Sequence, residues 1–127
     1  MIKSEFLAAI TPELKKRGYR KNGMYWYKRC DGFTCCINLQ TSNWDSDNYY
    51  INVGLYLDDS PTCRATQLNW YCRHRVQGKD GDRNILPEEL LSHLAQTFDQ
   101  LHSKSEIRNF LIQHKAKEMP GQNPIWY

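Results

Sequence analysis

Apolar residues recur along this chain in two rhythms, and the switch between them separates helical from extended stretches. In residues 4–17, Phe6, Leu7, Ile10 and Leu14 fall at the three- and four-residue spacing of one helix face. Ser4 suits an N-cap, and Gly18 stands where a helix needs a left-handed residue to stop. Pro12 lacks an N–H and crowds the preceding turn. The helix is therefore expected to kink there, or to restart with Thr11 as its cap. Past Asn22-Gly23 the rhythm shortens to two. Residues 24–30 form an unbroken aromatic run, and Asp31-Gly32 is a strong hairpin signal. In residues 33–42, Phe33, Cys35, Ile37 and Leu39 alternate with Thr34, Cys36, Asn38 and Gln40. In residues 49–57, Tyr49, Ile51, Val53, Leu55 and Leu57 alternate with Tyr50, Asn52, Gly54 and Tyr56. A fourth strand is predicted over 66–76, with Leu68, Trp70 and Cys72 inward and Asn69, Tyr71, Arg73 and Arg75 outward.

The helical rhythm returns at Pro87, where Glu88 and Glu89 occupy a first turn that favours acids. Leu90, Leu91, Leu94, Phe98 and Leu101 form its apolar stripe. Ser103 or Ser105 opens a last helix bearing Ile107, Phe110, Leu111 and His114, and residues 120–127 read as a tail. Together these elements predict an α+β fold in a single domain over 1–127. Its centre is a four-stranded antiparallel meander, with the N-terminal helix and the two C-terminal helices packed on the Ile37/Val53 face and the opposite face wet.

The 127-residue length is enough to bury a core without disulfides or metal. Aromatic residues make up 13% of the chain, including eight Tyr and four Trp, which supply rings with polar handles suited to interfaces. A net charge of +3, from 17 basic and 14 acidic residues, falls short of a nucleic-acid-binding footprint. The five cysteines, Cys30, Cys35, Cys36, Cys63 and Cys72, are odd in number and show no C-x-x-C spacing. Free thiols in a cytoplasmic protein fit better than a disulfide framework or zinc site. No signal peptide or membrane-spanning run is found.

The residues point to no catalytic group, no metal site and no cofactor. The four histidines lack ligand spacing. Cys72 and His74 share a strand face, but that face is expected to be the core, so packing explains them better than a nucleophilic dyad. No glycine-rich phosphate loop occurs. The outer face of the sheet is more informative, since it gathers Tyr25, Tyr27, Arg29, Asn38, Gln40, Tyr50, Asn52, Tyr56, Tyr71, Arg73 and Arg75. Tyr, Arg and amides have the composition of a recognition surface. The same residues equally suit an ordinary solvated face on which Tyr is favoured by β-propensity.

Three runs carry a family resemblance: residues 14–29 (LKKRGYRKNGMYWYKR), the pair 37–42 (INLQTS) and 49–57 (YYINVGLYL), and the basic strand 72–76 (CRHRV). Together they resemble the bacterial family DUF4304 over nearly the whole chain. The acidic loop NWDSDN and the absence of tryptophan from the loop that follows the basic strand depart from it. The resemblance implies a cytoplasmic domain without established enzymatic activity, of the kind often encoded beside secreted or polymorphic toxins as an immunity protein. The expected partner is then a cognate bacterial toxin domain met by protein–protein contact, with no nucleic acid, no membrane and a monomer when free. The alternative is a small-ligand or RNA-binding module on the sheet, using Gln40, Asn52, Arg73 and Arg75. Toxins acting on anionic substrates carry basic clefts, which favours the acidic loops as contacts: Asp45 and Asp47 in one, Asp58 and Asp59 in the other. Trp44 adds an apolar anchor, unless it folds back on the sheet edge. The expected contact set is Trp44, Asp45, Asp47, Asp58 and Asp59, then Tyr27, Gln40, Tyr50, Asn52, Tyr56, Arg73 and Arg75.

Overall fold

The computed structural model describes residues 3–41, 49–58, 64, 68, 70–77 and 84–117, the last four of these by backbone alone. Helix α1 runs unbroken over Lys3–Lys16 with Pro12 inside it. The helix does not restart at Thr11, because proline removes one hydrogen bond while the helix buries Phe6, Ile10 and Leu14 completely on one face. Thr11 caps nothing; its hydroxyl donates to the Leu7 carbonyl at 2.6 Å. Nor is Ser4 the cap. It lies within the helix, and the backbone N–H of Lys3 donates to Gln77 Oε1 at 2.8 Å, so the far end of the sheet satisfies this terminus. The other end closes as expected. Gly18 sits at φ 92, with Tyr19 N–H bonded to Leu14 O and Gly18 N–H to Lys15 O, the paired bonds of a Schellman stop.

Five strands follow, one more than the sequence predicts: β1 (Arg20–Asn22), β2 (Tyr25–Arg29), β3 (Thr34–Thr41), β4 (Tyr49–Tyr56) and β5 (Trp70–Gln77). They form one antiparallel sheet in the order β1-β2-β3-β4-β5. The extra strand is short, fully exposed and entirely polar, so it carries no alternation to read. It exists because Gly23, at φ 62, turns the chain so that Arg20 pairs with Tyr27 and Asn22 with Tyr25. Asp31-Gly32 makes the next turn, closed by Cys30 N–H on Phe33 O at 2.8 Å. The β3–β4 register pairs Ile37 with Val53 and Asn38 with Asn52. That of β4–β5 pairs Asn52 with Arg73 and Tyr50 with Arg75.

Helices α1, α2 (Pro87–Gln96) and α3 (Lys104–Lys117) share one core cluster with Ile37 and Val53, as expected. Helix α2 starts at Pro87, and Glu89 reaches back to the Leu86 N–H at 3.1 Å. It ends before Phe98, which is carried by a separate 3-10 turn (Phe98–Gln100). Trp70 meets Phe98 and Phe110 edge-on, with centroids 5.8 and 5.2 Å apart, and so ties β5 to the helical layer. Ser103 caps α3 by accepting from Glu106 N–H at 3.2 Å, and its hydroxyl donates to Glu106 Oε1 at 3.1 Å. Among the described residues, no helix is long and apolar enough to cross a membrane.

Candidate functional site

The register places Asn38 and Gln40 of β3, Tyr50 and Asn52 of β4, and Arg73 and Arg75 of β5 on the sheet face away from the helices. This face is not wet. Asn52 is 0% exposed, Asn38 6% and Gln40 7%, and Thr34, Cys36 and Tyr27 are buried with them. Buried amides require partners, and here they find them in one another. Arg73 has only donors, so it fixes the orientation of its neighbours. Its Nε donates to Asn52 Oδ1 at 3.0 Å, and its Nη2 to Gln40 Oε1 at 3.1 Å. Asn52 must then turn its Nδ2 the other way, where it donates to Gln40 Oε1 at 2.9 Å and Asn38 Oδ1 at 3.3 Å. Asn38 Nδ2 reaches the carbonyls of Met24 and Leu39, both at 3.3 Å. The network thus runs across three strands to the β1–β2 turn.

Arg73 also lies over the Tyr50 ring, its guanidinium carbon 5.1 Å from the centroid. Arg75 donates to Asn84 Oδ1 at 2.9 Å, while its carbonyl accepts from Ile85 N–H at 2.7 Å. Tyr50, Tyr56, Arg73 and Arg75 are all half-buried. Toward β1, Tyr25 and Tyr27 stack at 5.5 Å with rings 4° from parallel. Leu68, expected inward, lies instead on this outer face against Tyr27 and Cys36. Gly54 makes room for it: a Cβ at that glycine would stand 2.5 Å from Leu68 Cδ1 and 2.7 Å from the Trp70 carbonyl oxygen.

The predicted contact set therefore divides. Tyr50, Tyr56, Arg73 and Arg75 present partly exposed side chains, whereas Tyr27, Gln40 and Asn52 are buried supports beneath them. Asp58 is exposed at the opposite end of β4, where its carbonyl accepts from the Thr34 hydroxyl at 2.8 Å. Trp44, Asp45, Asp47 and Asp59 lie outside the described residues. Asn38 was not expected in the contact set, although two amides two residues apart on a strand, facing a third on its neighbour, signalled the ladder it completes.

On the helical face Cys72 and His74 are neighbours, with Sγ 3.4 Å from Nε2, and the His93 ring of α2 packs 5.1 Å from His74. Burial, and next the His93 charge, hold the His74 imidazole below its ordinary pKa against the opposing pull of Glu89. That works against the imidazolium a thiolate–imidazolium dyad needs. Unfolded, His74 takes up its proton near pH 6.5; folded, it does so only at lower pH. Its contribution to stability is complete above pH 6.5 and is lost as pH falls from there through the folded pKa. Replacing His74 by Gln is expected to flatten the loss of stability between about pH 7 and about pH 5, measured by urea unfolding. An unchanged slope contradicts this assignment. Among the described residues, no cluster of His, Cys, Asp and Glu can hold a metal ion.

A five-stranded antiparallel meander with helices on one face and an amide–arginine ladder on the other defines an α+β domain. Residues 10–116 match the family described as "Domain of unknown function (DUF4304)", and the chain belongs to that family. No curated protein and no solved structure matches it.

Proposed function

We propose that this chain is a protein-binding module, an immunity protein that neutralises a cognate bacterial toxin domain by covering it with the outer end of the β3–β5 face. The observation that carries this reading is the way Arg73 is held. Two buried amides and the Tyr50 ring set its guanidinium, and Arg75 is tied to Asn84. Side chains oriented before the partner arrives lose little entropy on binding, and Tyr and Arg are the residues that most often dominate interfaces. Residues 42–48, with Trp44, Asp45 and Asp47, follow β3 and precede β4 in the chain. The proposed contact set is Tyr50, Arg73 and Arg75 with those three.

The test is made in cells. Expressed with bacterial toxin domains whose genes neighbour members of this family, the chain is expected to restore growth against its cognate one, and the Tyr50→Ala/Arg75→Ala variant to lose most of that protection. Equal protection by both proteins moves the contact elsewhere, and no protection by the parent chain overturns the immunity reading.

A further inference from the structure

The two edges of the sheet differ. Along β5, the Arg75 carbonyl accepts from the Ile85 N–H at 2.7 Å and Gln77 Oε1 from the Lys3 N–H at 2.8 Å, so two other parts of the chain are bonded to that strand. β1 lies at the far end of the strand order, and among the described residues no strand pairs with its outer side. All three of its residues, Arg20, Lys21 and Asn22, are exposed. The register fixes which of their backbone groups face out. Asn22 and Tyr25 flank the two-residue turn Gly23-Met24, and partners that close such a turn exchange both of their N–H···O bonds. Pair types alternate along an antiparallel ladder. Arg20 and Tyr27 therefore also bond each other, while Lys21 and Trp26 between them do not. The N–H and C=O of Lys21 point away from β2, and no backbone partner meets them among the described residues.

The charge around this edge has one dominant sign. Residues 13–31 hold seven of the chain's 17 basic residues and two of its 14 acids, a net +5 in a chain whose total is +3. Everything outside that span is therefore net acidic. Arg17 and Lys28 are engaged by Asp99, at 3.1 and 4.0 Å. Lys15, Lys16, Arg20, Lys21 and Arg29 are exposed, and among the described residues only Lys16 of these five meets an acid, Glu13 at 3.3 Å. The edge strand itself presents charge on both sides of the sheet. Arg20 shares the outer face with its partner Tyr27. Lys21 shares the helix-facing side with Trp26, its ammonium 5.7 Å from the ring centroid.

We infer that the β1 edge is a docking site for an extended acidic segment of another protein, which adds to the sheet as a strand beside β1. Lys21 supplies the main-chain donor and acceptor, and Arg20 and Lys21, on opposite faces, each meet an acid of the incoming strand. A second copy of this chain does not suit the edge, because pairing β1 with β1 sets arginine and lysine against their own kind. A nucleic acid would use the charge and leave the Lys21 N–H and C=O idle. This surface is separate from the β3–β5 contact set, and the inference does not rest on the immunity reading.

The probe is a short peptide repeating Glu-Glu-Thr-Thr, whose acids fall on both faces of a strand, titrated into the isotope-labelled full chain and followed by NMR. The Lys21 amide is expected to shift most, and its exchange with solvent to slow at least ~10-fold at saturation as it becomes hydrogen-bonded. Arg20→Glu/Lys21→Glu is expected to weaken binding at least ~10-fold, and Tyr50→Ala/Arg75→Ala to leave it unchanged. Lys21→Pro removes the outward N–H and the charge together, whereas Lys21→Gln removes the charge alone, and proline is tolerated on an edge strand where the N–H faces solvent. The proline variant is expected to bind more weakly than the glutamine one. Equal weakening by the two overturns strand addition. Equally tight binding of a Gln-Gln-Thr-Thr peptide, or of oligothymidylate without protection of the Lys21 amide, overturns the choice of occupant. No binding of the acidic peptide overturns the inference outright and leaves the charges the role of keeping the edge from pairing.

Discussion

Replacing Asn52 by leucine is expected to destabilise the protein by about 3 kcal/mol, although the two side chains are close in size and the new one is apolar. Asn52 is fully buried and supplies both halves of the central amide exchange. It accepts from Arg73 and donates to Gln40 and Asn38. Leucine leaves the Arg73 Nε without its acceptor and the oxygen of Asn38 without its donor, and a stranded buried polar group costs about 1–3 kcal/mol, more when it is charged. Removing one member of such a network is costly in a way that replacing the whole network by apolar groups need not be. The melting temperature is expected to fall by roughly 10 °C for a domain of this size. A double-mutant cycle with Arg73→Met should show non-additivity, because the first change removes the acceptor of Arg73 Nε and the second removes that donor. Independent, small effects at both positions would mean that the ladder contributes little to stability.

Gly54→Ala is the second large effect. No positive φ is involved; the constraint is space. The added methyl would lie 2.5 Å from Leu68 Cδ1 and 2.7 Å from the Trp70 carbonyl oxygen. The leucine can rotate away, but the carbonyl belongs to the neighbouring strand, so β4 and β5 must separate locally. Overpacking of this kind costs about 1–3 kcal/mol. Shortening Leu68 to Ala in the same chain is expected to recover only part of the loss, because the backbone contact persists. Complete recovery would locate the whole clash at Leu68, and an unchanged melting temperature for Gly54→Ala would show that no close approach exists.

Much of this was legible in the sequence, for particular reasons. The alternations in 33–42 and 49–57 predicted the faces of β3 and β4 because each strand has one apolar side, and a one-residue slip would have buried the wrong set. Pro87 with Glu88 and Glu89 marked the start of α2 because a helix N-terminus favours both. What escaped was decided by contacts that alternation does not encode. Arg20–Asn22 is a strand only through its partner β2, and Leu68 lies on the outer face because Gly54 leaves room for it. The outer face was expected to be wet because Asn, Gln and Arg are usually exposed. Their mutual hydrogen bonding, which permits burial, appears only once three strands are aligned.

The central claim is that the Tyr50, Arg73 and Arg75 end of the sheet is a preformed protein-binding surface. Isothermal titration calorimetry tests it most directly, comparing the parent chain with Tyr50→Ala/Arg75→Ala against a toxin domain from which the parent chain protects cells, after thermal melts have shown both proteins folded. Loss of interface anchors of this type typically costs about 2 kcal/mol or more, so the expected result is a Kd at least ~30-fold weaker. A folded variant that binds as tightly as the parent chain would contradict the account.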